Sequence, residues 1–404
     1  MTLLATFTGL LFLYSLVSAR LEKTILTAPM LFTAAGMVVL LLGPELRGQK
    51  ANARVFLSIA EIGLVLLLFT DASRTNLRVL KTIGNLPVRL LSTGMLLTIL
   101  LGGLAALAIF HQLTLWEAGI LGAILAPTDA GLGQIIVNSP RVPMRIRQAL
   151  NVEAGLNDGL SVPFLLFFIA LEGIESHQAN LGRLVMEQLG YGAIIGAGFG
   201  LAGGWLLGLS HRRHWMAESF HQLGLVTLPL FCMLTSEAVG ASMFIASFVA
   251  GLAVQAGFKE AGKHSVEFTE EWGQLLNLSV FFLFGLLVAR DWQHFTVPLV
   301  LYAVLSLTVV RMVPVAIALV GTRLSRPTVL FMGWFGPRGL ASIVLGLVYL
   351  EQETHQPGEP VIRLAVMITV LLSIFAHGLS AMPCIRLYAA KVAALPAEAP
   401  EHSG

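Results

Sequence analysis

The sequence predicts an all-α polytopic membrane protein of about thirteen transmembrane helices. Composition is the first observation behind this: 56% of the 404 residues are hydrophobic, 12% are charged, and the mean hydropathy is +0.81. A soluble chain of this size could not hide that much apolar surface. The second is segmentation, because the apolar residues fall in successive runs of about 20 residues, the length that crosses a bilayer. The third is continuity. The runs are unbroken and Leu-rich rather than alternating, which selects helices over a closed barrel. The 40 glycines suit this setting. In a membrane they permit close helix approach and local unwinding.

The expected spans are 3–18, 27–43, 55–70, 88–110, 115–137, 149–171, 184–209, 219–237, 239–257, 274–289, 295–320, 328–350 and 361–387. The first has no basic residue before it. It therefore reads as an uncleaved helix rather than a signal peptide, despite Ser18 and Ala19 at its end. With the N-terminus outside, the odd-numbered connections and the tail should be cytoplasmic and basic. They carry 17 of the 25 basic residues, among them Lys23, Arg78, Lys81, Arg89, Arg141, Arg145, Arg147, Lys263, Arg323 and Arg326. The opposite side carries six: Arg47, Lys50, Arg54, Arg183, Arg290 and Arg363. The bias places the N-terminus outside and the C-terminus in the cytoplasm. Residues 1–394 read as one membrane domain, and 395–404 as a short disordered tail.

Two expected spans look broken. The fifth holds Pro127, Asp129, Gly131 and Gly133, and the twelfth holds Gly333, Gly336, Pro337 and Gly339. Proline removes a backbone donor and glycine leaves helical geometry cheaply. Two broken spans, seven apart, are compatible with the inverted repeats of secondary transporters.

The stretch from Leu125 to Pro163 gathers three acids in apolar surroundings: Asp129, Glu153 and Asp158. A carboxylate is kept in a membrane where it faces a partner, a bundle interior or a water-filled path. Asp158, preceded by Asn157, reads as a group that holds a proton and exchanges it for a cation; the alternative is a helix cap. Thr128 and Asp129 offer hard oxygen ligands beside freed backbone carbonyls, and Asp129 reads equally as a cap for the break itself. Glu153 lies about 140° round a helix from Asp158, so the two need not share a face. Its best candidate partner is Arg338, within GWFGPRG, and Arg311 is the second. Glu61 and Glu237 also stand in apolar context, where a structural role is favoured over ion binding. His377 is either structural or pH-responsive.

Other chemistries are excluded by spacing. The histidines, including His211 and His214 of SHRRH, lack zinc-ligand spacing. Cys232 and Cys384 form no redox motif. The GAGFG run, Gly196 to Gly200, lies inside an apolar span and reads as helix packing rather than a dinucleotide loop. No phosphate-gripping loop indicates ATP, and the basic residues do not gather into a nucleic-acid surface.

At this point an ordered set of motifs carries a resemblance over most of the chain. The set is LYSLVSARL from Leu13, LLLFTDA from Leu66, APTDA from Ala126, EAGLND from Glu153, GASMFIASFVAG from Gly240, FFLFGLL from Phe281, GWFGPRGLAS from Gly333 and HGLS from His377. The chain resembles the sodium/proton exchanger family, in the electroneutral NhaP-like branch of cation:proton antiporters. The resemblance implies an NhaA/NhaP-like inverted-repeat fold with two unwound crossing helices. It also implies a homodimer in the lipid bilayer. A core bundle, roughly 88–171 and 295–387, would move against a dimerisation scaffold. By resemblance, Asp158 alternates between proton and cation, Asn157 is its neighbour, Thr128 and Asp129 flank the ion, and Glu153 pairs with Arg338. Two positions depart from the pattern: Ala154 stands where many relatives have Ser, and Ala130 where many have Pro. By the same resemblance, a large C-terminal regulatory domain like that of some relatives is not expected.

The expected function is therefore electroneutral exchange of Na+, or Li+, for H+ across a prokaryotic inner or plasma membrane. It needs no cofactor and involves no covalent step. Ala154 motivates the alternative, a K+-preferring or dual Na+/K+ antiporter. A channel or a non-transporting scaffold is a further class, distinguished by steady current or by no transport at all.

Overall fold

A computed structural model describes residues 2–21, 24–43, 53–74, 86–175, 182, 186–217, 220–259, 261, 273–351, 357–396 and 398–401. Among the basic residues that set the expected orientation, Lys23, Arg47, Lys50, Arg78, Lys81, Arg183 and Lys263 lie outside them. The regular structure among the described residues is helical, with no strand. The chain runs α1 (Thr2–Leu21), α2 (Ala28–Leu42), α3 (Ala53–Arg74), α4 (Leu86–Ile109), α5 (Leu115–Ile124), α6 (Ala130–Val137) and α7 (Met144–Glu175). It continues through α8 (Met186–Arg212), α9 (Phe220–Val239), α10 (Met243–Val254), α11 (Gln274–Asp291), α12 (Val297–Leu307) and α13 (Val309–Ala318). It closes with α14 (Arg326–Trp334), α15 (Leu340–Glu351) and α16 (Glu359–Ala393).

The expected runs all fall on helices, but helix lengths correct the count of thirteen spans. Among the described residues, eight helical stretches are long and apolar enough to cross a membrane, and α2, α5, α10 and Leu340–Leu350 are apolar but shorter. The physical reason is visible at two places. The expected span 115–137 is cut into α5 and α6, and 328–350 into α14 and α15. Hydropathy registers an apolar run without registering where its hydrogen-bond ladder stops.

Packing follows from small residues. On α8, Gly196, Gly200, Gly204 and Gly208 form a stripe at every fourth position, one helix face. A Cβ at Gly196 or Gly200 would strike the backbone of Ala246 or Ala250 on α10. The GAGFG run is thus a helix-packing surface.

Connections segregate to two ends. Arg89 donates to the carbonyls of Ala318 (3.2 Å) and Val320 (2.7 Å), and Arg145 to that of Pro400 (2.7 Å). The turns carrying Arg141, Arg147, Arg323 and Arg326 belong to this end. At the other end the Gly358 amide donates to Glu117 (2.9 Å), and Arg363 pairs with Asp291 (3.1 Å). The tail expected to be disordered is docked where described. Glu401 is buried and accepts from the Ser325 amide at 2.7 Å. A polar composition reads as loose chain until its partners, 76 positions away in sequence, are known.

Candidate functional site

The site is built on two helix breaks. The helix α5 starts at a capping box, in which Thr114 and Glu117 satisfy each other's backbone amides. It stops at Ile124, ahead of Pro127, which has no N–H to continue the ladder. The chain then runs outside helical geometry until Asp129, which caps α6 through a 3.0 Å bond from the Leu132 amide. The second break is similar. The helix α14 ends at Trp334, residues 335–339 leave the helix, and α15 starts at Leu340.

The breaks touch and cap one another. The Asp129 amide donates to the Pro337 carbonyl at 2.7 Å. The other Asp129 carboxylate oxygen accepts from the Leu340 amide at 2.7 Å, so this acid serves the N-termini of both α6 and α15. In the opposite direction, Arg338 donates from one guanidinium nitrogen to the carbonyls of Ala126 (2.8 Å) and Pro127 (3.0 Å). Ser342 reaches the Ile124 carbonyl at 2.8 Å. A negative group thus meets the positive end of one half-helix, and a positive group the carbonyl end of another. Gly339 leaves room for the acid, because a Cβ there would overlap the Asp129 carboxylate.

The helix α7 brings the remaining acids alongside. Asn157 donates to Thr128 Oγ1 at 2.6 Å, tying α7 to the first break. Asp158 is buried next to it. Asp158 Oδ1 and Asn157 Oδ1 are both buried and find no hydrogen-bond partner among the described residues. Asp129 and Asp71 stand close enough to Asp158 to act on it electrostatically. Asp71 comes from α3, and its Cβ lies 3.5 Å from the position of a Cβ built on Gly155. The sequence pattern does not single out Asp71. It ends an apolar run near a helix terminus, and only its alignment with Gly155 on α7 reveals it. The one available signal was the acid at the end of LLLFTDA.

The geometry corrects the expected ion pair. Glu153 pairs with Arg311 of α13 at 2.6 Å, with both side chains buried, rather than with Arg338. Arg338 is occupied by the break carbonyls, a use of its charge that spacing could not show. Arg311 lies against Gly336, so the pair braces the second break. Glu237 lies at the turn expected after the eighth span: it is exposed in the last turn of α9, just ahead of the Gly240 turn. Glu61 is buried on α3. The two ring nitrogens of His377 face the Trp334 carbonyl (2.9 Å) and Ser373, and Ser373 Oγ accepts from the Arg338 amide at 2.6 Å.

Interrupted helices with touching breaks, beside buried acids, are the architecture of discontinuous-helix membrane transporters. A family profile described as "Sodium/hydrogen exchanger, transmembrane" matches residues 6–386. The chain belongs to that family, in its NhaP/NhaA-like branch. It is 27% identical to the K+/H+ antiporter NhaP of Alkalimonas amylolytica, over 98% of this chain and 67% of that protein. It is also 27% identical to a Na+/H+ antiporter of Schizosaccharomyces pombe, over 68% of this chain and 65% of that one. Other curated relatives are matched over as little as 32% of their length. The fold is similar to that of the sodium proton antiporter MjNhaP1 from Methanocaldococcus jannaschii, with a TM-score of 0.74 at 21% identity, over 94% of this chain and 99% of that chain. These relatives are transporters by name, in accord with a chain that is not an enzyme.

Proposed function

We propose that the protein is a secondary antiporter that exchanges a monovalent cation, K+ as well as Na+, for a proton. The observation that carries this is the pair of buried, unpartnered oxygens on Asn157 and Asp158 beside the capped breaks. A buried carboxylate without a partner needs a proton or a cation to balance it. Competition of the two for Asp158 gives obligatory exchange with no covalent step. Asp129 and Thr128 join the ion's surroundings, and Asn157 holds the first break by its amide while its oxygen stays available.

The cation assignment moves from the expected Na+ preference to the dual reading. Relatives named K+/H+ antiporters stand beside those named Na+/H+ antiporters. Ala154 supports the same reading: by resemblance it stands where many relatives carry Ser, a hydroxyl that can serve near the ion. Electroneutral one-for-one exchange, alternating access, homodimerisation, a prokaryotic inner or plasma membrane and a cytoplasmic C-terminus belong to the same proposal. So does the crossing of the membrane by α5–α6 and α14–α15 as composite spans.

Everted vesicles holding a pH gradient and a fluorescent pH probe test it. Wild type should dissipate the gradient on addition of K+ and of Na+, and D158N should not. Cation response in D158N equal to wild type would overturn the role of Asp158. A response to Na+ or Li+ but not K+ would restore the narrower reading. A steady current without proton movement would identify a channel instead.

A further inference from the structure

The short helix α14, nine residues long, carries the second break at its C-terminal end, yet no N-cap side chain accepts from its first amides. Ser325 holds the N-cap position, but its hydroxyl bonds no helix amide and stands instead 2.9 Å from the Thr328 hydroxyl. So short a helix frays in isolation, and its first amides need an acceptor. The acceptor comes from the end of the chain described here. Glu401 Oε1 accepts from the Ser325 amide at 2.7 Å and from the Thr328 hydroxyl at 2.8 Å. With the Thr328 proton committed to Glu401, the Tyr388 hydroxyl, 3.0 Å away, is the donor to Thr328 Oγ1. One residue earlier, the Pro400 carbonyl accepts from Arg145 on α7 at 2.7 Å. Thr328, Tyr388 and Glu401 are all buried.

The segment therefore ties three elements: α7, which carries Asp158; α14, which carries the break; and α16. These elements already share one apolar cluster, in which Ile146, Phe331, Met332 and Ile385 are buried. A tie inside one packed body does not restrain motion between bodies. It sets the position of a member of that body. The helix α14 is a rod of about 14 Å. A shift at its start is carried to Trp334, to Gly336 against Arg311, and to Arg338 on the first break.

We propose that Glu401 is a positioning residue for cation binding: residues 398–401 form a strap that caps α14 and keeps the second break in register with the first. This rests on the antiporter reading of the site. Its loss should weaken cation binding while leaving turnover largely intact.

The experiment compares wild type, E401A, E401D and R145A in the vesicle assay, with K+ and Na+ titrated, and measures amide hydrogen exchange of the same purified proteins. E401A should raise the half-saturating cation concentration about fivefold, the scale of a lost helix cap. Its maximal rate should stay within about twofold of wild type. E401D, which keeps the carboxylate, should recover part of the affinity, and R145A should show a smaller rise. Amides of 326–334 should exchange faster in E401A, and those of 192–212 should not. An unchanged half-saturating concentration in E401A overturns the proposal, and so does a rise in maximal rate, which would make the strap a brake. Unchanged hydrogen exchange over 326–334 overturns it independently of transport. If wild type moves no protons at all, the antiporter reading fails, and the exchange of 326–334 still decides the strap.

Discussion

Asp129 shows how much one side chain is asked to do. Its two oxygens hold the first amides of two helices, and its own amide holds the other break. Replacing it by Ala removes two bonds to a charged group, at a cost of about 3–6 kcal/mol. Thermal unfolding in detergent should show a lower Tm for D129A and a smaller drop for D129N; a wild-type Tm in D129A would contradict the double cap. The pair of Glu153 and Arg311 makes a second case. Removing one partner strands a buried charge and costs about 3–5 kcal/mol, whereas removing both is milder. E153Q and R311Q should each unfold earlier than the E153Q/R311Q double variant. If E153Q instead matched a Glu153–Arg338 pairing, R338Q and not R311Q would compensate it. At this scale the acids Asp129, Glu153 and Asp158 were legible in the sequence because ionised groups are rare in apolar runs. The partner of Glu153 was not, since two buried arginines compete and only three-dimensional proximity decides.

Among the elements, the stripe on α8 yields a steric prediction. In G200L the added side chain meets backbone at Ala250, which has no freedom to retreat. Overpacking of this kind costs about 1–3 kcal/mol. Heating in detergent should denature G200L before wild type, while G198L, at a position with nothing near a built Cβ, should behave as wild type. The strap makes an acid-stability prediction. Burial opposes ionisation of Glu401, but the hydrogen bonds from Ser325 and Thr328 outweigh it and hold the carboxyl below its usual value of 4.5. A depressed folded-state pKa gives stability that is present above the unfolded value and lost as pH falls through the folded one. Hydrogen exchange of 326–334 should therefore stay slow through neutral pH and accelerate, relative to E401A, only below the carboxylate range. The breaks themselves were legible, because proline and glycine interrupt a ladder wherever they fall. The number of full spans was not, because hydropathy sums residues across a break.

For the whole molecule, the two ends of the bundle differ in charge among the described residues. Arg323 is exposed at the end bearing Arg141 and Arg145, and His294 is exposed beside Asp291 at the other. In a background without Cys232 and Cys384, R323C should react with an impermeant maleimide in everted vesicles, and H294C in right-side-out cells. The reverse pattern would invert the proposed orientation. The uneven basic residues of the sequence carry that expectation, and the labelling tests it. The docking of the tail could not be read from the sequence, because it depends on contacts that span much of the chain.

The mutual capping of the breaks also constrains how the protein is made. Asp129 and its partner Leu340 are 211 positions apart. At ordinary elongation rates that separation corresponds to roughly 10–40 s on the ribosome. During that interval the first break leaves the translocon with the carbonyls of Ala126 and Pro127 uncovered and half of Asp129 idle. The early helices must therefore wait, unfinished, for the late ones. A chain stopped before Arg338 would be a ready substrate for membrane proteases, however complete its N-terminal half.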